Sequence, residues 1–417
     1  MQKAIKKFDV AVIGGGPAGM MAARRAAELG ARVVLLEKNP SLGKKLLMTG
    51  NGRCNLTNAE FDNQLFIKKL GDKKAKFLFS ALAAFGPEET IKFFEAKGLK
   101  TKIEKNQRVF PASDRAQDVL DVLEKYLRGN DVKIILNAEI VGFNLGRGKI
   151  NSVKLSSEEI QAARFILATG GKSYPGTGSR GDGYAWAQTF GHTIVKPIPA
   201  LAPVKVKETW IKDLQGVSLE QAGINILQNN KKIKSLSGEI IFTHFGLSGP
   251  VIINFSKTIG QLLSDGEVKI KIDLLPESNE KQLDKKFQQA FLTYAKKDLK
   301  NYLPALLSGK LSAVIIKLSG MEPKKKLNLI TKEERNILIR LVKNLELTTI
   351  GTMGFEAAMV TSGGVNLSEV DSRTMKSKKI SNLYLAGEIL DLDGPTGGFN
   401  LQIAWSTGYA AGAGAAD

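Results

Sequence analysis

The sequence predicts an α/β protein in which one parallel-sheet domain is split by a long insert. Three observations carry this. An apolar run, Val10–Ile13, ends in Gly14-x-Gly16-x-x-Gly19 and passes into an Ala-rich helical stretch, Met20–Leu29, stopped by Gly30. Far along the chain a second apolar run, from Leu383, leads into Gly387-Glu388 and then Gly397-Gly398. Between them the texture changes to short alternating segments and then to lysine-rich helical periodicity.

The first unit reads as a Rossmann-like turn. Gly14 permits a tight bend, Gly16 lets a pyrophosphate approach the backbone, and Gly19 packs the helix on the strand. Pro17 and Ala18 open the helix, whose free N–H groups and positive dipole end suit phosphate. A strand over Val33–Leu36 follows and ends on Glu37, placed to accept hydrogen bonds from ribose hydroxyls, with Lys38 next. Strand before, helix after and an acidic strand end make the pattern specific, which the glycines alone are not.

Residues 38–58 are polar and glycine-punctuated, and are expected as a loop along the dinucleotide, with Lys44, Lys45 and Arg53 suited to phosphate. Helical stretches are expected over Lys73–Phe85 and Pro87–Glu95. Arg108–Leu120 reads as a loop entering a helix, with Ser113 or Asp114 as N-cap. Val132–Leu136, Glu139–Phe143 (containing Ile140) and Lys149–Leu155 read as strands. Arg164–Gly171 is a buried strand whose last residues, Ala168, Thr169 and Gly170, are small enough for close approach of a cofactor.

Pro197, Pro199 and Pro203 mark a boundary. Val204–Lys207, Gly223–Leu227, Glu239–Phe242 and Val268–Ile272 suggest an all-β insert, and residues 277–345 a helical one. The expected division is 1–195 and 351–417 for the two parts of the nucleotide domain, 196–275 for a β-barrel-like domain and 276–350 for a helical domain.

Bulk composition narrows the class. At 417 residues the chain exceeds one ordinary core, and 43% hydrophobic residues is a normal globular value. One cysteine excludes an intrachain disulfide and a redox pair, and with only two histidines a zinc site is not expected. No apolar run approaches the ~18 residues of a membrane span. Met1–Lys7 is basic and lacks an apolar signal core, so a cytoplasmic protein is expected. Sixty Lys and Arg against 41 Asp and Glu give a net charge of +19, which implies attraction to polyanions. Residues 196–345 hold 25 Lys and Arg against 14 Asp and Glu, so the insert carries most of the excess.

Two features select the cofactor. There is one Gly-x-Gly-x-x-Gly opening a strand–helix–strand unit, and a distant strand–Gly-Glu junction returns to it with a helix behind. A helix N-terminus there can stabilise negative charge on a reduced isoalloxazine. FAD held by one domain fits, with Gly387, Glu388, Asp391, Gly397, Gly398, Asn400, Leu401 and Gln402 leading into a last helix over Ile403–Ala411.

The chain also resembles the bacterial BaiN/YhiN-type flavoproteins of the glutathione-reductase-like superfamily. Matching blocks run in order along the whole chain: Val12–Gly19, Gly43–Asn58, Val109–Asp114, Ala168–Pro175, Phe242–Pro250, Thr361–Val365, and Ala386–Glu388 through Gly397–Gln402. Arg180 before Gly181-Asp182-Gly183, and Ser362 in place of an expected Ala, are small departures.

The resemblance implies FAD, a split Rossmann-like domain, and an inserted β-barrel with a helical domain. It also implies reduction of an activated C=C bond with NAD(P)H as transient reductant. Family substrates include enone intermediates of bile-acid metabolism and a uridine of large-subunit (23S) ribosomal RNA, which becomes dihydrouridine; an aminoacetone-oxidase label also exists. The charge favours RNA, through phosphate neutralisation and counterion release. A uracil would have to be flipped out of its stack to react. The alternatives are a small-molecule enone reductase or amine oxidase, and a non-enzymatic, flavin-stabilised RNA-binding factor.

The expected scheme is ping-pong, with hydride delivered to the β-carbon of an unsaturated carbonyl and an acid protonating the α-carbon. Cys54 is either that acid or a small residue packed beside the cofactor. His244 is either a group facing the flavin or a satisfied buried imidazole. His192 reads as structural. Lys172, Ser173 and Tyr174 either line a substrate channel or form a turn closed by Pro175. Trp186, Trp210 and Trp405 read as core. Oligomeric state is left open.

Overall fold

The computed structural model describes residues 6–71 and 73–417. Met1–Ile5 of the basic leader lies outside the described residues. The chain forms two compact units, 1–199 with 358–417, and 200–357.

The first unit is built on a seven-stranded sheet. Strand β1 (Lys6–Ile13) is followed by helix α1 (Pro17–Glu28) and strand β2 (Val33–Leu36). β1 and β2 pair in parallel from Val10↔Val33 to Ile13↔Leu36. The order across the sheet is Lys133–Ile135, β2, β1, Glu159–Leu167, Lys149–Leu155 and Ile140–Gly146. The pairs from Lys133–Ile135 to Glu159–Leu167 are parallel, and the last two are antiparallel. Val10, Ala11 and Val12 are buried on both faces, as a continuous apolar run in a parallel sheet requires. The returning strand, Leu383–Leu385, lies parallel beside the end of Glu159–Leu167. Two distant parts of the chain therefore finish side by side at the carboxyl ends of the strands, where open α/β sheets bind ligands.

The last helix, Phe399–Ala416, packs on α1. A Cβ on Gly408 or Gly412 would come within 2.4 Å of the Ala18 or Ala22 carbonyl oxygen. Glycines one turn apart let the two backbones approach. Trp405 fills the space beside them and its Nε1–H donates to the Leu56 carbonyl at 3.0 Å.

Two local expectations are corrected. The segment 44–58 contains a short helix, Lys44–Met48, and a strand, Thr57–Asn58, paired to Arg108–Pro111, and Leu46, Cys54, Leu56 and Thr57 are fully buried. It is core beneath the last helix, and Asn58 Nδ2 reaches the Gly397 carbonyl at 3.0 Å. The helix Ala116–Gly129 has Arg115 at its N-cap position with no side-chain cap. Asp114 instead accepts from Arg53 and Lys102.

The second unit is a closed six-stranded barrel with helices on it. Its strands follow the order Val204–Val206, Gly246–Ser248, Lys231–Thr243, Ser218–Gln228, Val268–Asp273, Leu345–Thr352. Val268–Asp273 alternates buried and half-buried residues, the period of two expected for a strand with one face inward. Helices Glu280–Thr293, Gly309–Ser319 and Lys332–Lys343 share one core with the barrel, so Ile224, Ile226 and Ile270 belong with Leu283, Phe287 and Leu338. Asn279 with Gln282 and Thr331 with Glu334 form capping boxes. Among the described residues no helix is long and apolar enough to cross a membrane.

Candidate functional site

A cleft of about 510 Å³ lies in the first unit, at the strand ends. Ile13 and Leu36 close β1 and β2 against it. Gly14 turns the chain at φ +108°, its N–H donates to the Leu36 carbonyl at 2.8 Å, and a Cβ there would lie 2.4 Å from the Ala168 carbonyl oxygen. Gly19 does not line the cleft; its missing Cβ would sit 1.8 Å from the Gly14 carbonyl oxygen, so it lets the turn close on the helix.

Gly16 differs from both. It caps α1 at ordinary extended angles, and a Cβ on it would meet nothing within 4 Å. The space over it is the cleft, and the first N–H groups of α1, which have no intrahelical partner, open there with Pro17 and Ala18. Glu37, buried at the end of β2, accepts from Gly15 N–H at 2.7 Å and from Asn39 N–H and Nδ2 at 2.8 and 2.7 Å. A carboxylate has about four acceptor sites, so one stays available to a hydroxyl.

The far side comes from the returning chain. Gly387, at φ +78°, brings its Cα so close to α1 that a Cβ would lie 2.7 Å from that of Ala18. Beside it, Lys45 Nζ donates to Glu388 Oε2 at 2.8 Å and Ser173 Oγ at 2.6 Å. Glu388 Oε1 accepts from Ser173 Oγ and Thr361 N–H, both at 2.8 Å. Lys45, which the sequence suggested for a phosphate contact, lines the cleft and is paired there with a carboxylate. Ser173 sits in the bend before Pro175, one of its two expected places, and holds Glu388.

The last helix begins with Gly398 at φ +96° as its N-cap, and a Cβ there would strike the Thr57 carbonyl at 2.2 Å. Asn400 closes the preceding loop by exchanging bonds with Gly394, accepting at 2.9 Å and donating at 2.8 Å. Asn400 and Leu401 line the cleft. Two helix N-termini therefore face one cavity, and both favour negative charge.

Lys38, Ile140, Ala168, Thr169 and Gly170 also line it, Lys38 paired with Asp182. Thr169 Oγ1 is buried without a hydrogen-bond partner. The glycine turn, the open space over Gly16, the two helix ends and this orphaned hydroxyl fit a dinucleotide with a flavin, FAD.

Several predicted residues fall elsewhere. Arg53 is held by Glu104 and Asp114 and lies over the Phe110 ring, 4.1 Å from its centroid. Cys54 is fully buried in the core, and burial pushes its thiol up to about 12, so it is neither exposed to a substrate nor an effective acid. Gln402 turns into the core, accepting from Thr57 and Thr90 hydroxyls and donating to the Phe85 carbonyl. Asp391 pairs with Lys74 at 2.7 Å. Gly397 and Gly398 shape the loop without lining the cavity. His244 belongs to the second unit, where it is exposed in the turn before Gly246–Ser248.

Sequence reasoning missed other lining residues. Asn39, Thr177–Arg180, Asp182, Trp186, Met359 and Val360 all contribute. A signal existed for one of these segments: Gly176-x-Gly178-x-x-Gly181 precedes the helix Asp182–Thr189. Gly178, at φ +101°, folds that turn onto Asn39, whose Nδ2 donates to the Thr177 carbonyl at 3.0 Å. Trp186, expected in the core, lines the cleft.

Comparison with known proteins agrees with this geometry. Residues 8–414 match the family described as HI0933-like protein Rossmann domain. The chain is 36% identical over 411 residues to a 3-dehydro-bile acid delta(4,6)-reductase of Clostridium scindens, covering 98% of this chain and 99% of that one. It is 32% identical over 404 residues to a ribosomal RNA dihydrouridine synthase of Haemophilus influenzae, covering 96% of each. The fold also resembles a 3-ketosteroid-delta4-(5alpha)-dehydrogenase from Rhodococcus jostii, with TM-score 0.51 and 16% identity over 100% of this chain and 98% of that one. The chain belongs to the HI0933-like family and is an FAD-dependent oxidoreductase.

Proposed function

We propose that the protein reduces an activated C=C bond with NAD(P)H as electron donor, and that its substrate is a uridine of large-subunit ribosomal RNA, converted to dihydrouridine. Charge is the observation that carries the RNA reading. Residues 196–345 hold 25 Lys and Arg against 14 Asp and Glu, and a free steroid gives no reason for such a field. A cytoplasmic location follows from this reading.

FAD, when bound, supplies the hydride-transfer chemistry. The N–H groups of Gly16 and Ala18 are assigned to its pyrophosphate and Glu37 to its ribose, with Ile140 beside the adenine end. The N-terminus of the last helix, at Asn400 and Leu401, is assigned to negative charge on the reduced ring. Lys45, Ser173 and Thr361 hold Glu388 in one orientation at the wall between these ends. His244, an exposed imidazole, is the proposed proton donor in place of Cys54.

The test is anaerobic NADPH oxidation by the purified protein, with ribosomal RNA from a deletion strain or with a free enone. Turnover with the RNA, abolished by a competing polyanion, is expected. The higher identity to the bile-acid reductase favours a second reading, a small-molecule enone reductase. Rapid enone turnover indifferent to polyanions would establish that reading instead.

A further inference from the structure

We propose that the second unit carries a docking patch for single-stranded RNA where residues 294–300 meet residues 322–328; this rests on the RNA reading above. The two segments are far from the cleft motifs in sequence, and neither is basic enough alone to attract notice. The fold lays them side by side. Leu299 N–H donates to the Lys325 carbonyl at 2.9 Å, Lys300 N–H to Pro323 at 3.0 Å, Leu327 N–H to Lys297 at 3.0 Å and Asn328 N–H to Ala295 at 3.2 Å. Asp298 and Lys326 form an antiparallel bridge.

This ladder gathers Lys296, Lys297 and Lys300 from one segment with Lys324, Lys325 and Lys326 from the other. All but Lys325 are exposed. The carboxylates present are few. Lys326 pairs with Asp298 at 2.7 Å, Lys325 pairs with Glu334 at 2.6 Å, and Glu322 is exposed at the segment's start. Asp298 is pulled below the usual carboxylate range by its bond to Lys326, with Lys300 and Lys324 adding to the effect. Among the described residues, Lys296, Lys297, Lys300 and Lys324 form no ion pair. Four unneutralised ammonium groups held together repel one another, and an incoming row of phosphates removes that repulsion.

An aromatic ring supplies the second element. Tyr294 is 51% exposed, with Lys297 Nζ 5.6 Å from its ring centroid. The buried Tyr302 ring supports it at 6.3 Å. A braced, exposed ring among lysines is a platform on which an unpaired base can stack, and a base inside a duplex cannot use it. Exposed Leu292 and Leu329, 82% and 60%, lie next to the same segments and define the competing occupant, a protein surface.

The experiment uses the full-length flavin-loaded protein, a mixed-sequence single-stranded oligoribonucleotide, its duplex form, and a salt titration of binding. The variant Lys296→Gln/Lys297→Gln/Lys300→Gln/Lys324→Gln is compared with Lys212→Gln/Lys231→Gln/Lys232→Gln/Lys234→Gln, which removes the same charge from exposed positions elsewhere in the unit. The patch variant is expected to flatten the salt dependence by about 0.7 per lost phosphate contact and to weaken binding by about tenfold or more. Tyr294→Ala is expected to cost about tenfold on the single strand and little on the duplex, and Tyr294→Phe to keep the affinity. Flavin content and unfolding midpoint report that the variants are folded. Equal losses in the two lysine variants, or none in the patch variant, overturn the patch while leaving the RNA reading standing. A native protein that binds no RNA overturns that reading and the patch with it. Capture of a ribosomal protein through Leu292 and Leu329, with RNA binding unchanged in the patch variant, overturns the patch in favour of a protein surface.

Discussion

Gly16→Ala separates cofactor binding from folding more cleanly than any other single change. A Cβ at Gly16 meets no protein atom within 4 Å, and the residue's φ of −80° and ψ of −177° are open to alanine. Two terms act on stability. Alanine is a poorer helix N-cap than glycine, worth roughly 1 kcal/mol. Alanine also restricts the unfolded chain, which returns about 0.4–1 kcal/mol. The apo-protein should therefore unfold within about 1 kcal/mol of the native one. The same methyl group occupies the space over the N-terminus of α1, where the pyrophosphate is assigned. With FAD at about 100 times its dissociation constant, the native protein gains about 2.7 kcal/mol, and the variant should gain almost none. Flavin content of the purified protein and denaturant unfolding with and without added FAD measure both quantities. A Gly16→Ala variant with full flavin content and the native FAD-dependent stabilisation refutes the assignment of the pyrophosphate to this helix end.

Other changes probe the surrounding structure. Gly408→Ala or Gly412→Ala drives a methyl group to 2.4 Å from a carbonyl of α1 and should cost roughly 1–3 kcal/mol in a denaturant titration; unchanged midpoints would mean that the helix contact yields freely. Cys54, buried with its thiol pushed up to about 12, should resist a thiol reagent at mild alkaline pH until the protein is unfolded, and fast native labelling would contradict its burial. His192, bonded to Glu369 and Ser377, has its imidazole pushed down by burial against the pull of Glu369. The unfolded chain then binds the extra proton first, so stability should fall as pH drops below about 6.5 and the slope should flatten in His192→Asn. His244→Gln should leave reduction of the bound flavin by NADPH intact and slow substrate turnover by about tenfold or more; undiminished turnover would remove it as the proton donor.

The parts of this chain that could be read from its residues are those specified locally. β2 occupies Val33–Leu36 as expected because an all-apolar tetrad between Gly30 and Glu37 leaves little choice of register. The turn at Gly14 and the open N-terminus at Gly16 follow from the same short stretch. Features set by distant partners were not legible. Gln402 looked like a cofactor ligand because it follows Asn400, yet Thr57 and Thr90 draw its amide inward. Arg53 looked free for phosphate until the chain brought Glu104 and Asp114 to it. The barrel strands Ser218–Gln228 and Lys231–Thr243 run longer than their alternation suggested, since register shifts at Leu219/Ala222 and Ile226/Leu227 break the period of two. The Lys45–Glu388–Ser173–Thr361 network joins four separate segments, and no spacing in the sequence encodes it.

The central claim is that this flavoprotein reduces one uridine of ribosomal RNA, and mass mapping of that RNA tests it most directly. Large-subunit RNA from cells lacking the gene is incubated with the purified protein and NADPH, digested, and compared with an untreated sample. The account predicts that one uridine gains the mass of two hydrogens and that the same site carries that mass in RNA from unmodified cells; an RNA whose every uridine keeps its mass would contradict it.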